Sequence, residues 1–234
     1  QFYQEQRFKP QAFIRNRMAA GLHGRKVGRG FYKYEDNRKV MPEEAAAPTG
    51  LPDCVWVGPE GHDGANTLVE FLKKHVDVET GGKPSAKAIC MVAPLGSDAT
   101  MTAIELGVEA ERTVAVDTLF GLEGRLTLMT TSVTDDGVRD LAHGALAADG
   151  AKVTVIHDSP GFIAQRVIAT IVNISSEIAQ MRIATPEDIN KAVKLGLAYP
   201  QGPLEFGDTL GPQRIHAILS AMWNFYGDPR YRPS

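Results

Sequence analysis

The sequence predicts an α/β unit built on a mainly parallel sheet, followed by an all-α domain. Three observations carry that expectation. Between residues 53 and 157, short apolar runs alternate with segments of helical length. That is the pattern of strands joined by helical crossovers. Beyond residue 158 apolar residues recur at helical spacing, so this part must bury helix faces rather than strands. Between the two lies His157-Asp158-Ser159-Pro160-Gly161-Phe162, where proline and glycine forbid the continuation of a strand.

Taken in order, residues 1–34 open in a helical element and finish in a glycine-dense run, Gly21-Leu22-His23-Gly24-Arg25-Lys26-Val27-Gly28-Arg29-Gly30-Phe31-Tyr32-Lys33-Tyr34. The glycines predict irregular backbone, and Phe31, Tyr32 and Tyr34 predict that it is pinned to a core. No strand precedes this run, which argues against a phosphate-binding loop. Pro42, Pro48 and Pro52 among alanines and acids make residues 35–52 a linker and domain boundary. Strands are expected at 54–57, 76–78, 88–92, 113–116, 126–129 and 152–156. Helices are expected at 66–74, 101–106 and 135–148.

In the last part, Ile163, Val167, Ile171, Ile174, Ile178 and Met181 recur at intervals of four and three, one helical stripe expected to be buried. Thr185-Pro186-Glu187-Asp188 starts a second helix with a threonine cap, a proline whose missing N–H is harmless, and acids at the positive helix end. Gly196 is expected to stop it. Ile215, Ile218, Leu219, Met222 and Phe225 form another stripe expected to be buried.

The 234 residues are 43% hydrophobic and 23% charged with formal net charge -3, long enough for a core and for one or two domains. The mild acidity argues against a nucleic-acid partner, and Arg15, Arg17, Arg25, Lys26 and Arg29 read as a solvated basic face. Cys54 and Cys90 in apolar runs read as buried reduced thiols of a cytoplasmic protein. No apolar run approaches the ~20 residues a membrane span needs. The six histidines have no metal-ligand spacing, and no serine stands in a nucleophile elbow.

Asp158-Ser159-Pro160-Gly161-Phe162-Ile163-Ala164-Gln165-Arg166, followed by Lys194-Leu195-Gly196 and Tyr199-Pro200-Gln201-Gly202-Pro203-Leu204-Glu205, resembles the C-terminal helical domain of the 3-hydroxyacyl-CoA dehydrogenases. The glycine-rich run ending in Gly30-Phe31-Tyr32 is similar to the segment that closes such a domain. In addition, Arg7-Phe8-Lys9-Pro10-Gln11 is repeated as Arg230-Tyr231-Arg232-Pro233-Ser234. The resemblance therefore implies a tandem arrangement. Residues 1–34 are the tail of a first helical domain, 35–52 a linker, 53–157 a degenerate Rossmann-like domain, and 158–234 a truncated second helical domain. Both ends read as interior sequence, as expected of a C-terminal segment of a longer protein.

Gly58, Gly61 and Gly64 follow the first strand of the sheet and precede a helix, where glycines bring the backbone close to a pyrophosphate. Their spacing is Gly-x-x-Gly-x-x-Gly rather than Gly-x-Gly-x-x-Gly, and Glu60 and Asp63 add negative charge, so the loop reads as a relic. Glu79 stands at the distance of a ribose-binding acid. Matched motif to motif, the family's catalytic histidine falls on Asp117, its orienting glutamate on Leu128, its asparagine on Gln165, and its substrate serine on Ser97. A free imidazole titrates near about 6.5 and an aspartate near about 3.9, so Asp117 is the poorer general base at neutral pH. Leu128 accepts no hydrogen bond.

The resemblance implies that the whole protein oxidises 3-hydroxyacyl-CoA to 3-oxoacyl-CoA with NAD, as in fatty-acid breakdown, through an upstream domain. The present segment is expected to bind no cofactor and to be a non-catalytic scaffold. It would pack on the upstream helical domain or on a second copy. The alternative is a stand-alone acyl-CoA or nucleotide binding module without turnover; a third reading is an active oxidoreductase with Asp117 as base.

Overall fold

The computed structural model describes residues 9–234 and, at Asp63, the backbone alone; Arg7 and Phe8 of the repeated motif lie outside the described residues. The chain forms two compact units, Gln1–Ala46 and Ala47–Ser234.

The first unit holds α1 (Ala12–Ala19) and a short hairpin, β1 (Tyr34–Glu35) with β2 (Arg38–Lys39). Asp36 and Asn37 turn the hairpin with positive φ of 46° and 63°, the conformation that two-residue hairpin loops demand. This hairpin stands within the first residues expected to be linker. Gly30 approaches Gly24 so closely that a Cβ there would meet its Cα at 2.6 Å.

The aromatic residues are not buried as expected, and Phe31 is 67% exposed. So short a glycine-rich stretch offers little apolar surface, and its rings pack against cations instead. The Arg17 guanidinium lies 5.2 Å from the Phe13 centroid and 4.5 Å from that of Phe31, while Lys39 sits 3.8 Å over Tyr32.

The second unit begins with β3 (Cys54–Gly58), α2 (Asp63–Leu72), β4 (Asp77–Thr80) and β5 (Ile89–Val92). It continues with α3 (Ala99–Leu106), β6 (Thr113–Val116), β7 (Arg125–Thr130), α4 (Asp136–Ala147) and β8 (Lys152–Ile156). The sheet order is β4-β3-β5-β6-β7-β8. All neighbours are parallel except β6 and β7, because residues 117–124 are too few for a helical crossover. Side chains alternate across the sheet. Val55, Val57, Met91, Val116 and Leu128 join Leu68, Leu72 and Leu146 in one cluster, and Trp56, Cys90, Ala115 and Met129 join Ala99 and Phe162 in another.

Four helices follow: α5 (Ala164–Gln180), α6 (Pro186–Leu197), α7 (Pro203–Leu210) and α8 (Pro212–Tyr226). The Thr185 hydroxyl accepts the Asp188 N–H at 3.2 Å and caps α6 as its sequence predicts. The stop differs: Gly196 lies inside the helix, and Ala198 makes the left-handed turn with φ 55°.

The expected face of α5 also differs. Ile163 and Val167 are 51% and 48% exposed and Met181 is exposed, whereas Gln165, Ala169, Val172, Asn173 and Ser175 are buried. The helix has turned its small and amide residues inward, because loop backbone groups supply their hydrogen-bond partners. Ile215, Ile218, Leu219 and Met222 are buried with Ala169 and Val172, while Phe225 at the end of their stripe is exposed. Among the described residues no helix is long and apolar enough to cross a membrane.

Candidate functional site

The carboxyl ends of β3, β5 and β6 point toward the helical part, the place where an open parallel sheet offers a crevice to ligands. β3 lies between β4 and β5, so the chain reverses its direction of winding there. A cavity of about 300 Å³ occupies the crevice, lined by Gly61, His62 and Thr67 on one side and by Leu95, Thr118 and Arg214 on the other. The Nδ1 atom of His62 is buried there without a hydrogen-bond partner.

The glycine loop departs from a dinucleotide cradle in its details. Gly58 is joined to Pro59 by a cis peptide, and the Trp56 ring occupies the space beside it, within 2.0 Å of where a Cβ would stand. The Trp56 indole N–H is fixed on the Gly81 carbonyl at 3.0 Å. Gly61 has a φ of +80°, a conformation that suits glycine. Gly64 packs in the first turn of α2, where a Cβ would meet Thr118 Oγ1 at 2.5 Å. Glu79 is already engaged: its carboxylate accepts the Ser85 N–H at 2.9 Å. Bonds from Ser85 hold its carboxyl below the usual carboxylate range.

Two of the three family positions come together. Asp117, just beyond β6, and Gln165, in the first turn of α5, are buried and joined, with the amide Nε2 donating to Asp117 Oδ1 at 3.0 Å. The same amide donates to the Pro94 carbonyl at 3.1 Å, and its oxygen accepts the Gly96 N–H at 2.7 Å. Asp117 Oδ1 also accepts the Leu119 N–H at 3.1 Å. Burial pushes the Asp117 carboxyl above the ordinary aspartate value, opposed by the Gln165 and Leu119 donors.

The third position is separated. Leu128 is wholly buried on β7 in the cluster beneath α2 and α4. Ser97 lies half-buried in the loop after β5. The arrangement is a closed hydrogen-bond network, and among the described residues no imidazole or second carboxylate is bonded to Asp117.

The junction turn is built with equal care. Asp158 accepts the Ala99 N–H at 2.9 Å and the Thr100 hydroxyl, covering the N-terminus of α3. Asp98 caps the same helix at Met101 N, 2.7 Å away, and burial raises its carboxyl above the usual value. Arg166 donates to Ser159 Oγ at 2.9 Å, to the Pro160 carbonyl at 2.6 Å and to Tyr226 Oη at 2.7 Å. Sequence reasoning quoted Arg166 within its motif without a role, and it missed Trp56, His62 and Arg214. Only the glycine spacing hinted at a filled loop. Among the described residues no group of three histidine, cysteine or acidic side chains is placed to hold a metal ion. Cys54 and Cys90 are free thiols; Cys90 is buried and Cys54 only partly so.

A six-stranded, mainly parallel sheet followed by a helical part, with a crevice at the strand ends, defines a Rossmann-like α/β architecture. Residues 161–234 match the family described as 3-hydroxyacyl-CoA dehydrogenase, C-terminal domain. The chain is 29% identical over 232 residues to the 3-hydroxyadipyl-CoA dehydrogenase of Escherichia coli K12, covering 99% of this chain and 44% of that protein. It is 34% identical over 104 residues to the 3-hydroxybutyryl-CoA dehydrogenase of Clostridioides difficile, covering 44% of this chain and 35% of the relative. The crystal structure of 3-hydroxybutyryl-CoA dehydrogenase from Escherichia coli K12 superimposes with a TM-score of 0.74 at 28% identity, over 100% of this chain and 44% of that one. The chain spans less than half the length of these relatives, and the family match itself is confined to residues 161–234.

Proposed function

We propose that this chain is a segment of a cytoplasmic, NAD-dependent 3-hydroxyacyl-CoA dehydrogenase of tandem organisation, and that the segment itself is a scaffold without turnover. The observation that carries the reading is the Asp117–Gln165 network. Where the family places a histidine and an asparagine, these two side chains satisfy one another and two loop amides. The orienting glutamate is the core residue Leu128. A proton acceptor for a 3-hydroxyl needs a group that titrates near the working pH and a free face toward substrate. Filling of the space beside Gly58 by Trp56, and the engagement of Glu79, favour a segment that binds no NAD of its own. In the whole protein, NAD would accept hydride from a 3-hydroxyacyl-CoA at an upstream domain.

The stripe from Ile163 to Met181, exposed at Ile163, Val167 and Met181 and half-buried at Ile171, Ile174 and Ile178, is the face we assign to packing, against an upstream helical domain or a second copy. The Ile215 stripe is spent inside the helical core and is not available for this role. Purified chain incubated with acetoacetyl-CoA and NADH should consume no NADH. Turnover that disappears in Asp117→Asn would overturn the scaffold reading and make Asp117 the base. Saturable thermal stabilisation by CoA esters or NAD without turnover would instead establish a binding module.

A further inference from the structure

The linker expected at residues 35–52 is not free along its whole length. Residues 41–47 are exposed and carry no regular structure, but the second compact unit takes in the chain from Ala47 onward, well before β3 begins at Cys54. Residues 48–52 lie along α4. The carbonyl oxygens of Pro48 and Gly50 both face Gly144: a Cβ at that glycine would stand 3.1 Å from the first and 2.1 Å from the second. From the other side, a Cβ at Gly50 would meet Leu141 Cδ2 at 3.2 Å. Pro48 is half-buried and Pro52 buried, while Leu51 is 45% exposed.

Gly144 is buried in the body of α4, where glycine weakens a helix relative to alanine. Its neighbours are Leu141-Ala142-His143 before and Ala145-Leu146-Ala147 after, so the glycine interrupts a run rich in alanine and leucine. It acts as a notch, because only without a Cβ can a crossing backbone approach the helix so closely. The crossing segment is matched to the notch. Pro48 and Pro52 fix their own φ and hold the residues before them extended, so little freedom is lost on docking. Gly50 puts the smallest residue at the point of contact. The contact is specific in shape yet buries little apolar surface, since Leu51 stays largely in solvent. Such a contact belongs to the low-stability end of a structure and can open while the core stays folded.

We propose that residues 48–52 are a strap that α4 locks at Gly144, and that its release is a separate step, taken with the sheet intact, which lengthens the free tether from residues 41–47 to residues 41–53. At about 3.3–3.6 Å per extended residue, the short tether spans at most about 25 Å and the long one about 45 Å. The amino-terminal unit thus has a short radius with the strap down and a longer one with it up, and its effective concentration changes with that length. The device stands independently of whether the segment turns over substrate.

The test uses the full 234-residue chain and two variants. Gly144→Ala places a methyl group where the Gly50 carbonyl stands; Gly50→Val, at an exposed position, pushes the strap off Leu141 without touching α4. Brief digestion with a broad-specificity protease, read by mass spectrometry, should cut the wild type within residues 41–47 and spare 48–52. In both variants cleavage at 48–52 should become about tenfold faster, with circular dichroism unaltered and a larger maximum dimension in small-angle X-ray scattering. On a bare helix face Gly→Ala raises the melting temperature. A Gly144→Ala protein that melts higher and keeps the wild-type fragments overturns the lock. Wild-type chain cut at 48–52 as fast as at 41–47 overturns the strap. Wild-type cleavage at 48–52 that begins only at the urea concentration where the sheet is lost overturns the separate step.

Discussion

Replacing Gln165 by leucine tests the central network directly. The side chain is similar in volume, so the change removes three hydrogen bonds without opening a large cavity. The bond from Nε2 to the Asp117 carboxylate contributes about 1.5–3 kcal/mol and the one to the Pro94 carbonyl about 1 kcal/mol. The Gly96 N–H, buried and bonded at 2.7 Å, loses its acceptor at a cost of about 1–3 kcal/mol. Against this, the desolvation of the amide itself is recovered, about 1–3 kcal/mol on mutational scales. The balance is a loss of about 2–4 kcal/mol. Urea unfolding followed by far-ultraviolet circular dichroism, with the slope compared between proteins, measures it. Gln165→Glu is a second arm, because it sets a carboxylate against Asp117 and should destabilise more at neutral than at acid pH. A loss below about 0.5 kcal/mol for Gln165→Leu, the range of an ordinary surface change, would refute the claim that this network ties the sheet loops to α5.

Other predictions follow from neighbouring residues. Asp117 has a raised folded-state pKa, so its contribution is fully present below the unfolded value of about 3.9 and is lost as pH rises through the folded value. Asp117→Asn, which keeps an acceptor for Leu119 and Gln165, should therefore gain stability over the wild type near neutral pH. The gain should vanish in acid, as urea midpoints at the two pH values will report. Gly96 has φ +79°, and a Cβ there would meet Ile218 Cα at 2.7 Å. Gly96→Ala should cost about 3 kcal/mol through strain and overpacking, read as a fall in melting temperature. Arg166→Gln removes the clasp on Ser159, Pro160 and Tyr226 and should cost about 2–4 kcal/mol. Limited proteolysis should then open the junction turn first.

Much of the sheet was legible because its strands are runs such as Cys54-Val55-Trp56-Val57 and Ile89-Cys90-Met91-Val92, bounded by glycine, proline or charge. The cap at Thr185 was equally plain, since its chemistry is local. What escaped the sequence depends on distant partners. Nothing within α5 tells that Gln165 finds Gly96 and Asp117, or that Asn173 finds Arg232 and Ser234. Hydrophobicity therefore chose the wrong face. Phe31 was misread because a ring stacked under the Arg17 guanidinium needs no apolar core. At the site, the replacement of three family positions was readable residue by residue. That two of them bond each other, while Leu128 turns away into the core, follows only from the alternation of side chains across β7 and the entry angle of α5.

The chain contains two tryptophans, and they fall on opposite sides of the junction turn. Trp56 is sealed against the sheet with its indole N–H on the Gly81 carbonyl, and Trp223 packs partly exposed on the helical cluster. Their emission should differ in wavelength and in access to a dissolved quencher, so that each portion of the molecule carries its own optical label. Single-tryptophan proteins made by Trp56→Phe or Trp223→Phe would then reveal whether sheet and helices lose order together or one after the other.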